Sequence, residues 1–188
     1  YAPNNAVLLI IGDIEYGPTM RLIKDYFGSI PPSKRVTELK EKREQGFKSS
    51  MVKNQVENYY GKSENPLIAM AFPGVAYGER IGFVGDILSE ILAGNKSSYL
   101  NQKYVSTSRP LFNGISAYNY TLQHSGTFFL TAEVIRNIGL SKIKQKLLAD
   151  IKRFCDTQIT DKNVQKVKNR YMLNFYDELR TNAGIANY

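Results

Sequence analysis

Apolar residues recur every third or fourth position from Ile81 to Leu92, at Ile81, Val84, Ile87, Leu88, Ile91 and Leu92. That spacing predicts a helix with one buried stripe, which Phe83 widens, so the helix is expected to underlie much of the domain. Ala93-Gly94-Asn95-Lys96 interrupts the pattern. Gly94 or Asn95 can adopt the left-handed conformation that ends a helix, and Ser97 or Ser98 can cap the next one. A shorter pattern follows with Leu100, Tyr104 and Val105. The predicted motif is helix, sharp turn, capped helix.

Around this motif the chain alternates between two periods. Ala6-Val7-Leu8-Leu9-Ile10-Ile11 is continuously apolar and reads as a strand buried on both faces. Pro18 suits the first turn of a helix carrying Met20, Ile23 and Phe27, stopped by Gly28 and Pro31-Pro32. Residues 33–45 are polar and aperiodic, the best linker candidate. Phe47 to Val56 and Pro66 to Phe72 are expected strands. Phe112 to Tyr120 alternates, with Phe112, Gly114, Ser116, Tyr118 and Tyr120 on one side and Asn113, Ile115, Ala117 and Asn119 on the other. His124-Ser125-Gly126 turns the chain into a second strand, Thr127 to Val134, and the two form an expected antiparallel hairpin. Leu140, Ile143, Leu147, Leu148, Ile151 and Phe154 mark an amphipathic helix. Thr160-Asp161 caps a last one through Val164, Val167, Tyr171 and Phe175. This order predicts an α+β fold, an antiparallel or mixed sheet with helices packed on one face.

Composition narrows the function classes. The 188 residues suffice for a sizeable core, and no apolar run approaches membrane-spanning length. The opening Tyr1-Ala2-Pro3 and the end at Tyr188, inside a helical pattern, read as a piece of something longer, so no localisation follows. The net charge is +8, and residues 141–170 hold nine Lys or Arg against Asp150, Asp156 and Asp161. Such a segment can bind phosphates, but a solvated outer face is the commoner meaning, and nucleic-acid binding is disfavoured. The hairpin strands also lack the aromatic-glycine signature of sheet-face RNA binders. Cys155 is the one cysteine; its place on the apolar side of a helix predicts a buried small hydrophobe. His124 is the one histidine, so neither His-Glu-x-x-His nor its inversion is present. With Glu133 and Cys155 it could in principle gather a metal, but a surface turn residue is the better reading. Gly94-Asn95-Lys96-Ser97 lacks the glycine spacing and preceding strand of a phosphate-binding loop, and no Gly-x-Ser-x-Gly elbow occurs.

YAPNNAVLLIIGDIEYGPTMRLIKDYFGSIP resembles the strand-helix unit that follows the metal-binding core of insulinase/pitrilysin-type zinc metallopeptidases, close to the processing-peptidase branch. GKSENPLIAMAFPG and ILAGNKSSYLNQKYV resemble that family's next strand and its helix, Gly turn and Ser-Ser-x-Leu, in the same order. The resemblance implies that residues 1–32 close a preceding domain, that 33–45 link, and that 46–188 form a second domain without metal that helps enclose a peptide. It implies zinc for the parent protein, held upstream by an inverted His-x-x-Glu-His helix and a distant Glu, with no cofactor and no catalytic or metal residue in this chain. There zinc would polarise a carbonyl and activate water, with a Glu as base.

The implied partners are the upstream metal-binding domain, the peptide substrate, and a second half or subunit closing the chamber; no membrane is among them. The family places an Arg and, seven residues later, a Tyr on the substrate from the half opposite the zinc. The matching positions are Val105 and Phe112, the weak candidates for a chamber wall; neither side chain can make polar contacts, and both are expected instead to face the core, Phe112 near Ile91 and Leu92. A glycine-rich loop of noncatalytic subunits is also missing around Gly94. Both departures favour the second domain of a catalytic half. The alternative is a metal-free structural homologue serving assembly.

Overall fold

The computed structural model describes residues 2–38, 55–62, 64–135 and 139–187. Its contacts divide the chain into two units, Tyr1–Ser50 with Met172–Tyr188, and Met51–Tyr171.

The second unit holds the sheet. Strands β1 (Leu67–Gly74), β2 (Phe112–Thr121) and β3 (Gly126–Val134) lie in the order β1-β3-β2, both pairings antiparallel. The expected hairpin is β2–β3, turning through residues 122–125. Gly126 sits where the turn, β1 and the next loop meet; a Cβ there would fall 2.1 Å from the Val75 carbonyl oxygen, so only glycine fits. Opposite residues place Met70, Leu130 and Ala117 on one face, and Ala71, Phe129 and Tyr118 on the other. The first face is the core. Ile115, Ala117, Leu130, Ala132 and Val134 are buried against Ile91, Leu92, Leu100, Tyr104, Ile143, Leu147, Phe154 and Val167. The helices thus cover one face, as the α+β reading expects.

The alternation in β2 breaks at its start. Phe112 faces Val134 and Gly114 faces Glu133, which leaves Asn113 as the extra residue of a bulge. One added residue reverses parity, so Phe112 joins Ile115 and Ala117 on the core side, whereas Tyr118 and Tyr120 point to solvent. Grouping Phe112 with those tyrosines was therefore incorrect. The bulge places Phe112 at 1% exposure, its ring 4.9 Å from that of Tyr104.

Helix α2 (Arg80–Leu92) follows the predicted stripe only in its second half. Ile91 and Leu92 are buried, but Ile81, Phe83 and Val84 are 60%, 64% and 57% exposed, so the helix does not underlie the domain along its whole length. At its end Gly94 is not the left-handed residue. Positive φ occurs at Gly12 and Gly78 among the described glycines, not at Gly94. Gly94 is needed for space: a Cβ would stand 2.7 Å from the Glu90 Cα. Helix α3 (Tyr99–Tyr104) begins after Ser98, whose hydroxyl donates to the Asn95 carbonyl and caps nothing. Helices α4 (Leu140–Thr157) and α5 (Asp161–Glu178) follow as read. The Asn163 N–H donates to Thr160 Oγ1 at 3.3 Å, the expected cap of α5. Cys155 is exposed on α4, contrary to the buried reading, because it follows Phe154 and points off the stripe.

In the first unit, α1 (Tyr16–Phe27) buries no residue, and a short α6 (Asn182–Asn187) lies near the end. Asn4 Nδ2 donates to the Ser33 carbonyl at 3.0 Å while the Ser33 N–H donates to Asn4 Oδ1 at 3.1 Å. Residues 6–11 form no strand, and Val7 is 95% exposed. The expectation of a strand buried on both faces is thus overturned: no ladder partner flanks this run among the described residues, and its side chains are largely exposed. Of the other predicted strand, residues 47–54 lie outside the described residues and 55–56 have no regular structure. Of the linker reading at 33–45, residues 34–38 are helical and 39–45 lie outside the described residues.

Candidate functional site

The turn between α2 and α3 is held by one buried amide. Asn101 Nδ2 reaches the carbonyls of Ala93 and Ile115, each at 3.1 Å, and Ser98 Oγ at 3.2 Å. Asn101 thereby fastens the end of α2, the start of α3 and the middle of β2 together. A buried carbonyl left without a donor costs about 1–3 kcal/mol, so this residue shapes the region more than its polarity suggests.

A second polar group ties α3 to α4. Asp150, 6% exposed, accepts from Lys103 Nζ at 2.5 Å and from the Tyr104 hydroxyl. Burial acts to raise the Asp150 carboxyl, but the hydrogen bonds from Lys103 and Tyr104 and the ammonium groups of Lys103 and Lys146 outweigh it, so the pKa lies below the ordinary value. Burial and the adjacent carboxylate push the Tyr104 phenol far above its usual range, so it remains a donor. An ionised acid beside a phenol that stays protonated is a tie and offers no proton to shuttle. The signal was present in the sequence: Asp150 falls on the Leu147, Ile151, Phe154 stripe, where an acid needs partners.

A cleft of about 280 Å³ is lined by the turn and by α5. Ile91, Tyr99 and Val167 contribute apolar wall; Glu90, Asn95, Ser97, Lys166 and Arg170 contribute polar wall. Lys166 Nζ donates to Ser97 Oγ at 2.8 Å, and Arg170 pairs with Glu90 at 3.0 Å. Glu90 also accepts from Asn95 Nδ2 at 3.2 Å.

The sequence candidates do not converge. Phe112 is a core residue and Val105, at the end of α3, is half-buried against the same core. His124 is in the β2–β3 turn and Glu133 at the far end of β3, where it accepts from Asn65 at 2.7 Å. No group of three His, Cys, Asp or Glu side chains that could hold a metal ion occurs among the described residues. The donors among the described residues therefore do not fit the zinc that the resemblance implies for the parent.

Comparison with known proteins gives the context. Over 194 aligned residues the chain is 24% identical to the zinc protease PqqE of Helicobacter pylori, covering 99% of this chain and 41% of that protein. A crystal structure of a protease from Helicobacter pylori superposes with a TM-score of 0.70 at 19% identity, over 94% of this chain and 42% of the other. A candidate zinc protease from Bordetella pertussis Tohama I gives 0.53 at 20% identity, over 66% and 68% of the two chains. The chain thus spans under half the length of the first two relatives. The sequence pattern of the peptidase M16 inactive domain matches residues 1–171, and the chain belongs to that family.

Proposed function

We propose that this chain is the accessory domain of a zinc-dependent endopeptidase, helping to enclose the peptide substrate while the zinc and the catalytic carboxylate lie in another part of the parent. The observation that carries this reading is the match to the M16 inactive domain over residues 1–171, alongside relatives described as zinc proteases. The polar groups inside the fold support it, because Asp150, Tyr104 and Asn101 are committed to holding helices in place. On this reading residues 1–32 close the preceding domain and Val105 and Phe112 act as packing, with no peptide grip.

The test uses the parent protein and the chain side by side. The parent is expected to contain stoichiometric zinc and to cleave a quenched fluorescent peptide; the 188-residue chain is expected to do neither. In the parent, a photoactivatable peptide is expected to crosslink to the segment matching residues 51–171. Zinc-dependent cleavage by this chain alone would overturn the accessory role. A parent without zinc or cleavage would favour the metal-free assembly homologue.

A further inference from the structure

The cleft between the α2–α3 turn and α5 has a charge arrangement that nothing in the peptidase reading uses. Lys166 and Arg170 stand one helical turn apart on α5 and both line it, against Glu90 as its one acid. Arg170 is already engaged by Glu90. Among the described residues Lys166 is in no ion pair; its ammonium donates to the neutral hydroxyl of Ser97. Ser97 is in turn pinned, since Asn95 Oδ1 accepts from both its N–H, at 2.9 Å, and its hydroxyl, at 2.7 Å. The hydroxyl proton is thus committed to Asn95 and its lone pair holds the ammonium in place, which leaves the ammonium two protons to donate.

The floor strengthens this. Ile91 and Val167 are buried apolar residues, and an ion pair formed over apolar wall is screened less than one in open water. At about 280 Å³ the cleft is at or below the small end of ligand sites and suits a compact group. We propose that this cleft binds a compact oxyanion, held by Lys166 with Arg170 as second cation, while the Ser97–Asn95 pair fixes the position of the Lys166 ammonium. Phosphate and carboxylate groups share this chemistry.

The test titrates the full 188-residue chain with inorganic phosphate at constant ionic strength, following backbone amide chemical shifts. Saturable shifts are expected at Ser97, Ser98 and Asn163. Lys166→Ala should weaken them by about tenfold or more, the order of one charge-assisted hydrogen bond, and Lys166→Arg should restore most of the binding. Ser97→Ala should weaken binding less, and Glu90→Gln should strengthen it by releasing Arg170. Lys142→Ala, on α4, should leave it unchanged. All of these side chains lie at the surface or line an open cleft, so the fold should tolerate the changes, which unshifted core amides would verify. Acetate titrated in parallel separates the sources: tighter binding of phosphate supports a phosphate ligand, and tighter binding of acetate supports the site with a carboxylate ligand. Shifts that stay linear in phosphate, that chloride reproduces, or that Lys166→Ala does not alter would overturn the proposal.

Discussion

Ala6-Val7-Leu8-Leu9-Ile10-Ile11 and Leu67-Ile68-Ala69-Met70-Ala71-Phe72 are both six-residue apolar runs, and the first is the richer in β-branched residues. Only the second is a strand. Its register opposes Leu67 to Glu133 and Phe72 to Phe128, so every residue of the run has a neighbour across β3. The first run has no such neighbour among the described residues, and Leu8 and Leu9 are 54% and 61% exposed. Strand propensity is a preference for a pleated, half-covered surface. Without the surface the preference has nothing to act on. The lesson extends to α2, where one stripe is buried at Ile91 and exposed at Ile81 according to what lies opposite.

The sharpest way to probe this contrast is to cut into the covered side. Phe112→Ala should cost about 3–5 kcal/mol, the range for emptying a large buried aromatic site, as a shift in the denaturant midpoint. A loss below about 1 kcal/mol would mean that the bulge does not hold Phe112 in the core. Next comes the tie between α3 and α4. Asp150→Ala should cost about 2–4 kcal/mol, somewhat under the cost of breaking a fully buried pair because the Lys103 side chain is 31% exposed.

The same acid gives a pH dependence with a defined sign. Its folded pKa lies below the unfolded value, so its stabilising contribution is complete above the unfolded value and is lost as pH falls through the folded one. Wild type and Asp150→Asn should therefore differ most at neutral pH and converge in acid, measured as the gap between their melting temperatures. A gap that widened on acidification would contradict the tie. The smallest effect belongs to the uncovered run: Leu8→Ser should change stability by less than about 0.5 kcal/mol. A large loss there would mean that the run has a partner and would erase the contrast.

The legible parts were those with a long, local period. Helix α4 was readable from Leu140 to Phe154, and the hairpin from two alternating runs around His124-Ser125-Gly126, because each signal repeats within a few residues. The candidate cleft was not readable. Lys166 meets Ser97 across 69 positions, and Arg170 meets Glu90 across 80, and no local pattern carries such pairings. Both cations looked like ordinary members of a basic outer face. Asp150 was half legible, since its place on an apolar stripe demanded a partner but could not say that Lys103 and Tyr104 would supply it.

What the sequence determined by itself is where helices can form, where the chain turns, and that no histidine-based zinc motif is present, because spacing and residue type are local facts. Tertiary structure decided the rest. It added Asn113 as the bulge residue beside Phe112, used Gly94 for close approach to Glu90 without a positive φ, and left residues 6–11 without a ladder partner among the described residues. Each of these depends on which surface lies across from a residue, and side-chain burial is the property of a pair of surfaces rather than of either one.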